Sequence, residues 1–347
     1  MRILALLLAL ASAGSAADRA EAQVRAEVPI RVVVLSDGAR RYAVPITVGG
    51  TAIEAGLDTG SSGLRILPGV LADSDARPGS QGDSYAYGSG AKLAGVIGSA
   101  VVAVGGIARE TKVQLIRTVG CTPNLPRCPA SRVALADYGI QGDGLMGEGF
   151  KAILGINMAD AKIPSLFSSL GVRRWIVDLP RPGEGVPGRI VLNPTDGEVA
   201  DYARLHVLPQ FGRQPGGLHD AVAGCLKNMG TGQTLCGAVL MDCGAPGVTV
   251  EVRDTGPRWP AQTPASLILA EAGNPVAAAT FETDQRAQAS HLTFRDGHDG
   301  EGNGPQAIYA GLLPYFAWSV LYDPAAGVVG VKPRPPAPGG PVWALAR

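Results

Sequence analysis

Apolar residues recur at every second position through the first part of the chain. Tyr42, Val44, Ile46 and Val48 alternate with their neighbours, Gly49-Gly50 breaks the run, and Ile53, Ala55 and Leu57 resume it. A period of two is that of a strand with one face buried. The β-branched stretch from Glu27 to Leu35 predicts an earlier strand with Asp37-Gly38 as its turn. The same reading predicts a hairpin whose tip is Ser84-Tyr85-Ala86-Tyr87-Gly88-Ser89-Gly90, with Val96 to Val104 as the returning strand. Asp143-Gly144-Leu145-Met146-Gly147 reads as an apolar pair closed by glycine, a strand passing close to another backbone. Pro164 to Gly171 predicts a short helix with proline at its start and glycine at its end.

Further along, Trp175 to Leu179 and Gly188 to Leu192 predict another hairpin, and Val222 to Asp242 a third. Strand-like patches stand at Leu267 to Leu269 and Ala277 to Phe281. Ile308-Tyr309-Ala310-Gly311 repeats the apolar-plus-glycine pattern. Trp318 to Tyr322 and Val328 to Val331 predict a closing hairpin around Asp323-Pro324. The Pro/Gly-rich connection near Pro180 to Gly188 divides the chain into a first half, 23–181, and a second, 182–332. A proline-rich tail, 333–347, is expected to be extended and mobile.

Composition sharpens this picture. The chain has 347 residues with 48 Gly and 27 Pro, and only 17% are charged, which favours many short strands and turns over helical bundles. Thirty acids balance thirty bases, with no long basic run, so nucleic acid is not an expected partner. Met1-Arg2, the apolar run Ile3 to Ala11 and the small residues up to Ala17 read as a secretory signal peptide, assigned to 1–22. The mature protein is then expected to be exported to the periplasm or the exterior, without a membrane association. Five cysteines suit an exported chain. By proximity, Cys121 is expected to pair with Cys128 and Cys225 with Cys236, leaving Cys243 over.

The candidate chemistry lies at two acid turns. Leu57-Asp58-Thr59-Gly60-Ser61-Ser62 sets a carboxylate on a tight turn at a strand end, and Val239-Leu240-Met241-Asp242-Cys243-Gly244-Ala245 repeats the arrangement in the other half. Two such turns suggest a duplicated architecture whose carboxylates meet. Two carboxylates, one charged and one neutral, can activate a water and protonate a leaving nitrogen. At about 3 Å they repel by roughly 5 kcal/mol at an effective dielectric near 20, so the pair keeps one shared proton over a wide acidic range.

In this order of signals the chain resembles the pepsin-like aspartic peptidases. Asp58-Thr59-Gly60-Ser61-Ser62 is similar to that family's first catalytic turn, Tyr87-Gly88-Ser89-Gly90 to its flap, and Asp143 to Gly147 to the segment threading behind the first turn. The Pro-led helix, the Trp175 to Leu192 hairpin, the Asp242-Cys243-Gly244 turn and the end from Gly311 to Val331 follow in the family's order. The resemblance spans roughly Tyr42 to Val331. It implies a mostly β, bilobal fold of two related barrel-like lobes with a cleft between them, acting as an endopeptidase on polypeptide substrates. Asp58 and Asp242 would be the catalytic pair, Tyr87, Gly88 and Ser89 the flap, and Thr59, Gly60, Ser61, Cys243 and Gly244 the supporting residues. No metal or organic cofactor is implied, a monomer is expected, and split titration of the paired acids comes with the family.

Three departures stand out. Cys243 and Ala245 occupy places where the family has hydroxyl residues, so the second turn is expected to lose two strong donors. Arg65 stands where the family commonly has a tryptophan supporting the flap tyrosine. Tyr87 would then sit differently, or an acidic substrate group would meet Arg65, or the arginine would simply be solvated at a strand edge. The stretch from Asp242 to Gly311 is short for a complete second lobe. These departures motivate an alternative function, a catalytically impaired pepsin-fold protein acting as a secreted binding or inhibitor module. Tyr85 is the alternative flap aromatic. The four histidines, His206, His219, His291 and His298, read as surface residues, and Asp296 to Gly302 as an acidic turn rather than a calcium loop.

Overall fold

The alternation leading to Leu57 forms strands, and those strands lie at the middle of a large sheet. The computed structural model describes residues 24–159, 161–209, 219–252, 258–285, 288–296, 307–336 and 342–345. The signal segment, His298 and the 297–302 part of the acidic turn lie outside the described residues. In the first half the strands are β1 (Ala26–Val34), β2 (Arg40–Val48), β3 (Thr51–Asp58), β4 (Ser62–Ile66), β5 (Arg77–Ala86), β6 (Ala91–Val104), β7 (Ile107–Cys121) and β8 (Ala152–Ile156). Helix α1 (Leu166–Ser169), β9 (Trp175–Asp178), β10 (Gly188–Leu192), helix α2 (Asp196–Val199) and β11 (Ala203–His206) follow. The second half contributes β12 (Val222–Asn228), β13 (Thr234–Leu240), β14 (Val248–Val252), β15 (Pro264–Glu271), β16 (Asn274–Glu282), β17 (Leu292–Asp296) and β18 (Ala307–Tyr309). Helix α3 (Leu313–Ala317), β19 (Trp318–Asp323), β20 (Val328–Pro333) and β21 (Val342–Leu345) complete it.

The protein is mostly β, with two large sheets. One runs β11-β20-β19-β9-β10-β1-β2-β3-β8-β4-β7-β6-β5, the other β17-β14-β18-β13-β12-β15-β16-β21. The β9–β10 hairpin pairs with β19 on one side and β1 on the other, so the chain's last hairpin, β19–β20, joins the sheet built by the first half. The Pro/Gly-rich connection near Pro180 is the turn of this central hairpin.

A single motif occurs twice. β3 runs parallel to β8, with Leu57 beside Leu154 and Asp58 beside Gly155, and β8 runs antiparallel to β4. In the other sheet β13 runs parallel to β18, with Val239 beside Ile308, and β18 runs antiparallel to β14. The outer neighbours match too, since β4 is parallel to β7 and β14 is parallel to β17.

This topology corrects the segment expected behind the first turn. That strand is Ala152–Ile156, buried at every position, and not Asp143 to Gly147. Gly155 lies so close to the turn that a Cβ there would stand 2.6 Å from the Ser62 carbonyl carbon. Residues 143–147 form a turn instead, with Gly144 and Gly147 at positive φ and Met146 76% exposed. The tail is also corrected in part, because 342–345 pairs antiparallel with β16. Both expected disulfides are present, Cys121–Cys128 and Cys225–Cys236, and Cys243 is free and buried.

A continuous apolar core crosses between the halves. Leu57, Ile156 and Trp175 share it with Val239, Met241, Cys243 and Phe316. Trp175 stacks on Tyr322 at 5.8 Å between ring centroids and meets Phe167 of α1 edge-on at 5.4 Å. The two acid turns therefore stand at the seam of one packed body. Among the described residues, no helix is long and apolar enough to cross a membrane.

Candidate functional site

β3 ends at Asp58 and β13 two residues before Asp242, and the core between them brings the two ends together. The side-chain carboxyls of Asp58 and Asp242 are close enough to share a hydrogen bond. The glycine after each acid allows the approach. A Cβ on Gly60 would stand 2.5 Å from the Asp242 carboxyl carbon, and one on Gly244 2.6 Å from Asp58 Oδ1.

Each turn closes on its own acid in the same way. Gly60 N–H donates to Asp58 Oδ1 at 2.9 Å, and Gly244 N–H to Asp242 Oδ1 at 2.8 Å. The turns differ at the next residue. Ser61 Oγ donates to Asp58 Oδ2 at 2.6 Å, whereas Ala245 offers Asp242 no hydroxyl. Dense packing desolvates Asp242, and the adjacent Asp58 charge adds to the effect, so its carboxyl is held well above the ordinary range. Asp242 nevertheless retains some solvent exposure, while Asp58 is buried.

The turns are also cross-linked. Thr59 Oγ1 donates to the Met241 carbonyl at 2.9 Å and accepts from Cys243 N–H at 2.8 Å. Cys243 Sγ donates to the Leu57 carbonyl at 3.5 Å and lies in range of the Thr59 N–H. The expected loss of the second turn's donor at Cys243 is therefore only partial, because the thiol makes the bonds of a hydroxyl at sulfur's longer distance. Ala245 does leave its place without a donor.

Behind the turns stands a second tier. Tyr315 O–H donates to Thr59 Oγ1 at 2.8 Å and is 2.5 Å from the Tyr322 hydroxyl. Gln141 Nε2 donates to the Leu57 carbonyl at 3.1 Å, and the buried Arg41 donates to the Gln141 carbonyl at 2.8 Å and to Asp143. After β8, Asn157 N–H donates to the Ser61 carbonyl at 3.0 Å, and the next residue, Met158, donates its N–H to both oxygens of buried Asp220. Burial raises the Asp220 carboxyl to about 8.

The β5–β6 hairpin folds over this floor. Tyr85, near the end of β5, and Tyr87, just beyond it, have their rings 4.9 Å apart and edge to face. The Tyr85 hydroxyl interacts with Ser61, and burial, with the Asp58 charge next, pushes it up to about 12. Tyr85 is thus the aromatic that reaches the dyad's own hydrogen bonds. Tyr87 packs beside Leu93, Tyr138 and Ile140. Arg65 is not solvated: it is 3% exposed, and its guanidinium carbon lies 3.7 Å from the centre of the Tyr85 ring. At the exposed tip, the Gly88 carbonyl accepts from Arg295 Nη1 of β17 at 2.8 Å, tying the hairpin to the opposite half.

Other candidates lie elsewhere. His206 and His291 are exposed beside Glu271 and Asp284, and His219 is half-buried. A shallow hollow of about 450 Å³ between β2–β3 and β6, lined by Thr47, Ile53, Glu54 and Ala103, borders neither acid. Among the described residues, no group of three or more His, Cys, Asp and Glu is placed to hold a metal.

A comparison with protein-family models finds no match for the chain, and a comparison with curated proteins finds none either.

The sequence pattern located both acids, Thr59, Ser61 and the hairpin tip. It did not locate Gln141, Asn157, Asp220, Tyr315 or Arg295, whose contacts around the site arise only from tertiary packing. Tyr85 carried a readable signal, its place two residues from Tyr87 in the hairpin tip.

Proposed function

We propose that the protein is an exported, pepsin-like aspartic endopeptidase that hydrolyses peptide bonds with a water held between Asp58 and Asp242. The single observation that supports this reading most is the contact of two carboxyls, each at the end of a parallel-paired strand and each backed by the other's turn.

The chemistry follows from the asymmetry of the turns. Two donors, Gly60 N–H and Ser61 Oγ, point at Asp58, and one, Gly244 N–H, points at Asp242. The negative charge sits where more donors face it, and the shared proton sits toward Asp242. A water between them gives a proton to the charged carboxylate as it attacks the carbonyl carbon. The neutral carboxyl hydrogen-bonds the carbonyl oxygen as it gains charge, and a proton then passes to the leaving nitrogen. The hairpin carrying Tyr85 excludes bulk water, which strengthens these interactions.

The thiol's bonds to Leu57 and Thr59 support hydrolysis over the alternative of a binding or inhibitor module. The two disulfides suit an oxidising compartment. The test is cleavage of a denatured protein by purified mature chain from acid to neutral pH. Wild type should cleave, and both Asp58→Asn and Asp242→Asn should not. Intact substrate with all three proteins across that range would reject the proposal.

A further inference from the structure

Three polar atoms under the β5–β6 hairpin are buried without a partner: Arg65 Nε, Gln114 Oε1 and the Tyr87 hydroxyl. They belong to one place. Arg65 on β4 and Gln114 on β7 are in register on parallel strands, and Arg65 exerts the largest charge effect on the Tyr87 hydroxyl. Gln114 is fully buried and is fixed by its Nε2, which donates to the Asp83 carbonyl of β5 at 3.0 Å.

Buried polar atoms are normally paired, and each unpaired one is costly, so the two donors among them, Arg65 Nε–H and the Tyr87 O–H, mark a place built to receive an acceptor. The charge at that place is positive. Arg65 donates through Nη1 to the Ser62 carbonyl at 2.6 Å and stacks on Tyr85, and among the described residues it forms no ion pair. A buried cation without a carboxylate partner is the costliest feature of the three. Tyr85 links this place to the reacting centre, since its ring covers Arg65 and its hydroxyl interacts with Ser61, the donor to Asp58.

We infer that Arg65 and Tyr87 form a subsite for a carboxylate side chain, aspartate or glutamate, of a peptide lying at the Asp58–Asp242 pair. This inference rests on the proposed peptidase reading. The carboxylate accepts from Arg65 Nε–H and the Tyr87 O–H and pairs with the guanidinium charge. It enters when the hairpin lifts, a movement opposed at the tip by the Arg295 hydrogen bond to Gly88.

The test uses statine-type peptides, which bind without being cleaved, alike except for Glu, Gln or Leu beside the statine. Binding to the wild-type mature chain, Arg65→Gln and Tyr87→Phe is measured by calorimetry at pH 5.5, where a free glutamate side chain is ionised. In wild type the Glu peptide should bind about tenfold or more tightly than the Gln peptide, a preference that falls below about twofold in Arg65→Gln. Tyr87→Phe, which removes the other donor, should weaken the Glu peptide most, and the wild-type comparison stands even if either variant fails to fold. Equal binding of Glu and Gln peptides to wild type, or a preference that survives in Arg65→Gln, overturns the subsite. If the Leu peptide binds best, the subsite falls and the peptidase reading stands. If none of the three binds, both fall.

Discussion

Thr59 and Cys243 stand in equivalent places in the two acid turns and make reciprocal bonds. The hydroxyl of one donates to the carbonyl before Asp242, and the thiol of the other donates to the carbonyl before Asp58. Each also faces the other's backbone N–H. The duplicated strand pattern thus ends in a cross-braced pair of turns that fixes the spacing of the carboxyls. Sulfur's longer reach, 3.5 Å against 2.9 Å, is the main difference between the two braces.

From this brace follows a stability series. Cys243→Ala removes a buried donor and the packing of the sulfur, and should cost about 2 kcal/mol in denaturant unfolding. Cys243→Ser keeps a donor toward Leu57 and should stay within about 1 kcal/mol of wild type. Burial also raises the Cys243 thiol well above its ordinary value. A thiol reagent should therefore leave the native protein unmodified and label one cysteine once the unreduced chain is unfolded.

The hairpin over the dyad is tied to the opposite half at its tip by Arg295 and Gly88. Removing one exposed hydrogen bond of about 1 kcal/mol raises an open population roughly fivefold. Arg295→Ala should accordingly speed amide hydrogen exchange in residues 86–91 by about that factor, with exchange in β3 and β13 unchanged. Equal protection of the tip in both proteins would show that the contact does not restrain it.

Asp220 gives a pH signature independent of any activity. Its carboxyl oxygens accept from Met158 N–H, and burial holds its carboxyl at about 8, against an ordinary value near 4. Between those values the folded protein keeps a proton that the unfolded chain has released. The group's contribution is complete below the unfolded value and is lost as pH rises through the folded one. Asp220→Asn is neutral throughout. The stability of wild type minus that of the variant should fall, by a few kcal/mol at most, from about pH 4 to about pH 8 in urea titrations.

The acid turns were legible because an acid and a glycine follow an alternating strand at both places, and the disulfides because each pair brackets a short loop. β8 was not. Ala152 to Ile156 is buried on both faces, so it shows no alternation, and the glycines near Leu145 offered a more familiar pattern. Arg65 was legible only as a set of alternatives. A charged residue in a strand reads as exposed, and its burial depends on the Tyr85 ring that folds over it from another strand. Val342 to Leu345 has no local signal of pairing with β16, since the partner lies far back along the chain.

Ala245 occupies the place in the second turn that Ser61 occupies in the first. Ser61 gives Asp58 a 2.6 Å hydrogen bond, and Asp242 lacks its counterpart. That missing donor leaves the charged form of Asp242 poorly supported and contributes to holding its carboxyl up. In the proposed mechanism the neutral carboxyl of Asp242 is required, so activity falls as pH rises through its folded value. Ala245→Ser supplies a donor to the charged form and lowers that value. A hydrogen bond to a charged group contributes about 1.5–3 kcal/mol, which corresponds to one pH unit or somewhat more. The alkaline limb of kcat/KM against pH should therefore move about one unit toward acid in Ala245→Ser. Ser61→Ala removes the donor from Asp58 and should reduce kcat/KM without the same displacement. An alkaline limb that stays in place in Ala245→Ser, with the variant folded and active, would show that Asp242 does not set it.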